Sequence, residues 1–128
     1  MIAVRIIVWI GRIAGLGALL LGLLFWIANI DFISIHILFG LAVAIALLAL
    51  SIVMVFTRGT RVLGVIGIVY TLILPIFGLR QATLLVGNIH WLIQAVHLLV
   101  GIGALALIQV MSTRFERFRL PTTKAAAL

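Results

Sequence analysis

The chain contains no cysteine, two acidic residues and two prolines. Without cysteine there are no disulfides, no thiolate-held zinc, no iron–sulfur clusters and no thiol chemistry. With Asp31 and Glu116 as the only acids, there is no pair of carboxylates for acid–base work and no Ser-His-acid set. No P-loop and no G-x-G-x-x-G opening a helix after a strand is present. Catalysis by this chain alone is therefore not expected. Pro121 stops any helix that reaches it, and Pro75 removes a backbone hydrogen bond near the end of an apolar run, where a kink is expected.

What is present is apolar. Of 128 residues, 66% are hydrophobic and 9% charged. A soluble domain is nearer half apolar and about a quarter charged. A fold of this length buries only part of its surface, so the bilayer has to be the solvent. The net charge of +7 comes from nine basic residues against two acids. They fall between and beside the apolar runs, which is the pattern of membrane orientation signals and not of a nucleic-acid surface. No nucleic-acid partner is expected.

The runs predict an all-α, four-helix up-down transmembrane bundle. Its helices cover residues 4–30, 32–56, 62–80 and 88–113 of one membrane domain spanning 1–120, with a disordered tail over 121–128. Arg5 and Arg12, seven apart and bracketing Trp9, read as a basic, aromatic-anchored lead-in at the membrane surface. Gly11 and Gly15 form a G-x-x-x-G pair where a second helix can come close. Asp31 is placed to cap the second helix with negative charge at its positive dipole end. Tyr70 and Thr71 are polar groups within the third span, expected to bond locally or to neighbouring helices. Arginines cluster at the N-terminus, in the turn at Arg58 and Arg61, and in the tail; the turn near Asp31 has none and the third connection has Arg80. The positive-inside rule then puts both termini in the cytoplasm, and the expected location is a bacterial inner membrane. The basic-aromatic tail suits an anionic lipid surface.

The chemistry-bearing residues are three histidines. His90, Gln94 and His97 stand at i, i+4 and i+7 and so share one helical face, which Gly101 continues. His36 lies on the second helix with Gly40 one turn below. An ionisable side chain inside a span is costly and marks a candidate site. At about 1.5 Å per residue, His36 stands about 33 Å from Arg58, and His90 and His97 about 36 and 26 Å from Arg114. All three belong to the outer half, with His97 deeper by a turn or two. A weak repeat relates IHILFGLAVAIALLALS (35–51) to VHLLVGIGALALIQVMS (96–112), pairing His36 with His97.

Two imidazoles on different helices, in a dry place with glycine one turn below each, suit bis-imidazole ligation of haem. This H-x-x-x-G placement resembles the haem-binding helices of small membrane b-type cytochromes, such as the membrane anchors of succinate dehydrogenase and other four-helix quinone-linked cytochromes b. The resemblance covers two short stretches. It implies haem b as cofactor, His36 and His97 as axial metal ligands, Gly40 and Gly101 as contact positions, and a quinone among the partners. Arg80, His90 and Trp91 are candidates to hold the propionates. The chain departs from that family in lacking an acidic or Ser/Arg quinone signature, and on depth His90 rivals His97 as the partner of His36.

Other readings stay open. His36, Gln94 and His97 can hydrogen-bond between helices as structural groups, and His90 can be an interfacial residue beside Trp91. A bacteriochlorophyll-type magnesium needs one imidazole and a small residue nearby. Zinc or copper would need all three histidines, yet His90 and His97 are about 10.5 Å apart along the axis. A proton relay through His97, Gln94 and His90 lacks acidic partners. Two functions follow: a b-type haem subunit passing electrons within a larger redox complex, or a non-catalytic accessory or assembly subunit of a respiratory or photosynthetic membrane complex. Either has other membrane subunits and lipids as partners.

Because the chain has no cysteine, single introduced cysteines report orientation cleanly. Ala82→Cys should react with a membrane-impermeant maleimide in intact cells, and Thr122→Cys only after permeabilisation. The reverse pattern inverts the topology.

Overall fold

The computed structural model describes residues 2–119, with side chains through 118. The stretch expected to be a disordered tail, 121–128, lies outside the described residues. Four helices follow one another: α1 (Ile2–Ala28), α2 (Ile33–Phe56), α3 (Arg61–Arg80) and α4 (His90–Arg119), with a short 3-10 turn over Gln81–Thr83 before α4. All four are long and apolar enough to cross a membrane.

Each boundary has a local cause. α1 ends where Asn29 takes a left-handed backbone (φ 54°), a conformation asparagine tolerates and a helix cannot continue through. Phe32, and not Asp31, is the N-cap of α2, which starts one residue later than expected; the Asp31 carboxylate still accepts from the Ile33 backbone N–H at 3.1 Å, bracing the turn that leads in. Gly59 (φ 87°) reverses the chain between α2 and α3, and the Thr60 hydroxyl donates to the Met54 carbonyl at 2.9 Å, tying the turn to the end of α2. α3 runs unbroken through Pro75. α4 begins two residues later than expected and continues six residues further, to Arg119. The extension has a packing reason: Phe115 is buried in the core and Phe118 lies over Gly59.

Facing residues show an antiparallel, up-down arrangement. A methyl on Gly11 would meet Ile108 and Ala46, one on Gly17 would meet Phe39, one on Gly64 would meet Ser51 and Val55, and one on Gly78 would meet His97. α2 lies between α1 and α3, α4 closes the far side against α1 and touches α2 and α3, and α1 and α3 do not meet. The G-x-x-x-G pair therefore serves this chain's own packing, with Gly11 under Ile108 and Gly15 under Leu105. A second small-residue stripe, Thr60, Gly64, Gly67 and Thr71, is buried on α3. It lets the α3 backbone approach α2 until a Gly64 methyl would stand 2.6 Å from the Val55 nitrogen. Lipid tails are as apolar as leucine, so this close approach, and not the hydrophobic effect, holds the helices together.

The core occupies one end, the end from which α1 and α3 start and at which α2 and α4 finish. Leu47, Leu50 and Met54 of α2 interlock there with Ile108 and Met111 of α4 and with Val4 and Val8 of α1. Thr71 and Tyr70 bond as expected, one locally and one to a neighbouring helix, and Ser51 bonds locally as well. Ser51 donates to the Leu47 carbonyl at 2.6 Å, Thr71 to Gly67 at 2.8 Å, and Tyr70 crosses to Val100 of α4 at 2.7 Å. At the opposite end the packing thins: beyond Gly15, Val43, Thr71 and Ala104, Ile93 is the one buried residue among those described. This thinner end carries the histidines.

Gly64→Leu should lower stability in detergent by about 1–3 kcal/mol, the usual cost of overpacking, seen as a reduced thermal midpoint. Gly101→Ala, where a methyl meets nothing within 4 Å, should leave the midpoint unchanged.

Candidate functional site between α2 and α4

His36 and His97 face each other. Their ring centroids are 5.8 Å apart with planes inclined at 59°. The depth mismatch expected from the arginines disappears for a definable reason. α4 runs past Arg114, so Arg58 and Arg114 do not mark equal depths. The contact that does mark equal depth is Phe118 on Gly59. From it, His36 is 23 residues before Gly59, His97 is 21 before Phe118 and His90 is 28 before it. His36 and His97 are thus level within about 3 Å, and His90 is a further two turns away.

His36 is held by α1. Its Nδ1 lies 2.8 Å from the Ala18 carbonyl oxygen. A carbonyl only accepts, so Nδ1 carries the proton, and in the neutral ring Nε2 keeps its lone pair. The ring edge lies over Gly22: a methyl there would stand 3.2 Å from Cε1 and 3.5 Å from Nδ1. Ala18 and Gly22 thus form a cradle one turn long, and a branched residue at 22 would crowd the imidazole against its carbonyl.

His97 is held by α3. Its ring stacks on Phe77 with centroids 6.0 Å apart and planes within 23°, and a methyl on Gly78 would stand 3.4 Å from its Cε1. Its Nδ1 is buried without a hydrogen-bond partner among the described residues. In a solvent with no hydrogen bonds to offer, an unpaired ring nitrogen is costly, and most buried polar atoms avoid that state.

The remaining expected residues fall into place around this pair. Gly40 and Gly101 do not press against either ring; each borders open space. The clearance for the imidazoles comes instead from Gly22 and Gly78, one on each flanking helix. Gly22 was readable in principle, since Ala18 and Gly22 form a small-x-x-x-small pair. Nothing in the sequence singles out Gly78, because its partner is 19 residues away on another helix. Gln94 is half-buried, one turn before His97. His90 stands apart as the first residue of α4, where its Nδ1–H donates to the Leu84 carbonyl at 3.1 Å and braces the preceding turn. Trp91 is exposed. Arg80, at the end of α3, lines a shallow groove of about 430 Å³ with Phe77 and Thr83. Phe77 thereby connects the groove to the His97 ring. Among the described residues no three histidine or acidic side chains gather, so the donor set is two imidazoles.

Two imidazoles on facing helices, one with Nδ1 held by a carbonyl, can coordinate a soft or borderline metal centre from two sides. His36 Nδ1 is bonded to a carbonyl and His97 Nδ1 to nothing among the described residues, so neither imidazole carries the carboxylate partner of an acid–base pair. No family model, curated protein or solved structure matches this chain.

Histidine-selective ¹⁵N NMR should find His36 in the Nδ1–H tautomer. Gly22→Val should remove that signature by displacing the ring from Ala18, with a stability loss of about 0.6 kcal/mol, the usual worth of an interhelical hydrogen bond in a membrane.

Proposed function

We propose that this protein is an integral membrane subunit that holds a b-type haem between His36 and His97 and passes electrons within a larger redox complex. On this reading it lies in a bacterial inner membrane with both termini in the cytoplasm. Other membrane subunits and a quinone or partner cytochrome are its electron donors and acceptors. The observation that carries the reading is the facing imidazole pair, with one ring nitrogen left unpaired in an apolar interior. A histidine kept only to bridge helices would have that nitrogen in a hydrogen bond, as His36 has its Nδ1 and Tyr70 its hydroxyl.

The donor set fits the group. Neutral imidazole is a common axial ligand of haem iron, and haem so ligated supplies one-electron chemistry. The chain's own residues supply the rest. The Ala18 carbonyl accepts from Nδ1 of His36 and so leaves Nε2 as the nitrogen with a lone pair, the kind of backbone bond that ligating histidines usually make through their other nitrogen. Phe77 and Gly78 fix the plane of His97. Nothing presses on Gly40 of α2 or Gly101 of α4, so neither position obstructs a flat group beside the imidazoles. Arg80 supplies positive charge at the membrane edge for propionates. The one acid within a helix, Glu116, lies toward the opposite end of α4, 19 residues from His97.

The open space at each glycine also favours one second reading, an accessory subunit of a respiratory or photosynthetic complex that binds a magnesium pigment through a single imidazole. Visible spectra separate the two. Protein purified from haem-replete cells should give a b-type reduced-minus-oxidised difference spectrum that is lost in both His36→Ala and His97→Ala and retained in His90→Ala. Loss on His90→Ala with retention on His97→Ala would reassign the second ligand. Far-red pigment bands would establish the accessory reading, and absence of any chromophore would leave a scaffold subunit.

A further inference from the structure

At the end of the bundle that carries the core, α1 and α4 part to leave a cleft of about 760 Å³, well away from the histidines. We propose that this cleft binds the headgroup of a phospholipid bearing a primary ammonium, of the phosphatidylethanolamine type. Arg5 and Arg12 take the phosphate and Glu116 the ammonium. The proposal rests on no part of the haem reading.

The size falls within the range of small-molecule sites, about 300–1,000 Å³. The lining is of two kinds. Ile2, Val4 and Val8 of α1 contribute apolar surface, and Arg5 and Arg12 of α1 with Glu116 of α4 contribute charge. A ligand that satisfies both is an amphiphile. Arg12 is already oriented for it. Its guanidinium sits over the Trp9 ring, 5.3 Å from the centroid, and donates through Nη2 to the Gln109 side-chain oxygen. A guanidinium has five N–H donors in a rigid fork, so one bond to Gln109 aims the group and leaves donors for a phosphate. Arg5 lies on the same helical face about 10.5 Å further along, and both side chains are long enough to reach a phosphate held between them.

Glu116 selects among headgroups. It lines the same cleft as Arg5 and Arg12, facing them from α4. A carboxylate beside the arginines disfavours a purely anionic headgroup such as phosphatidylglycerol. An ammonium two carbons from the phosphate turns that repulsion into a charge-assisted hydrogen bond. Choline carries the same charge but has no N–H to donate, so ethanolamine is the better match. Inorganic phosphate and free phosphoethanolamine lack the acyl chains that the apolar wall accommodates.

Native mass spectrometry of the full chain, delipidated in detergent, tests this. The probes are dioleoyl phosphatidylethanolamine, phosphatidylcholine and phosphatidylglycerol, with inorganic phosphate and phosphoethanolamine as soluble counterparts. The expected result is one phosphatidylethanolamine retained about tenfold more tightly than either other lipid, a difference of ~1.4 kcal/mol. Neither soluble probe should be retained at the same concentration. Glu116→Gln should bring phosphatidylethanolamine down to the phosphatidylcholine level, Arg5→Gln should weaken all three lipids, and Arg5→Lys should recover part of the loss. Both positions are exposed, and unchanged far-UV circular dichroism would show the variants to be folded. Equal retention of the three lipids, indifference to Glu116→Gln, tighter phosphatidylglycerol binding, or binding of a soluble probe as strong as that of the lipid would each overturn the proposal.

Discussion

Inside a bilayer nothing but the protein can satisfy a hydrogen-bonding group, and the arrangement of this bundle follows from that constraint. Ser51 and Thr71 return their hydroxyls to carbonyls one turn back on their own helices. Tyr70 reaches across to α4 and His36 across to α1. Each bond fixes a side chain whose rotamers would otherwise be free, and the two that cross between helices also fix relative height. Against this background the unpaired nitrogen of His97 stands out. It belongs to a ring that two flanking residues already orient, so the lack of a partner is not a matter of looseness.

The same constraint divides the molecule into two ends with different tasks. At one end glycine and threonine on α3, and Gly11 and Gly15 on α1, let backbones approach closely enough for dispersion contacts to hold four helices together. Leu47, Leu50, Met54, Ile108 and Met111 fill what remains. At the other end glycine is used differently. Gly22 and Gly78 admit aromatic rings, while Gly40 and Gly101 border space. Stability is thus concentrated away from the imidazole pair. The imidazole pair lies in the thinner half, apart from the contacts that keep the helices in register.

Much of the fold was legible because the signals are local. Four apolar runs, Asp31 before α2, a glycine at the second turn and arginines beside the spans each act within a few residues. The boundary errors are equally instructive. Charge begins at Arg114, yet α4 runs on to Arg119. It continues because Phe115 finds the core and Phe118 finds Gly59, contacts made with residues more than fifty positions away. That extension also made Arg114 a poor depth marker, so a ruler laid along the sequence set His97 too deep and left His90 as a rival.

From the order of residues alone came the bilayer as solvent, the number of helices, their alternation, and two histidine-bearing spans with glycine one turn on. These depend on composition and on a period of 3.6 residues, which any helix obeys. Which imidazoles meet, which nitrogen carries a proton, and which glycines make room for the rings were decided by rotation and relative height of the helices. Those are set by close contacts such as Gly64 on Val55 and Gly15 on Leu105, summed over the whole bundle, and no single stretch of sequence contains them.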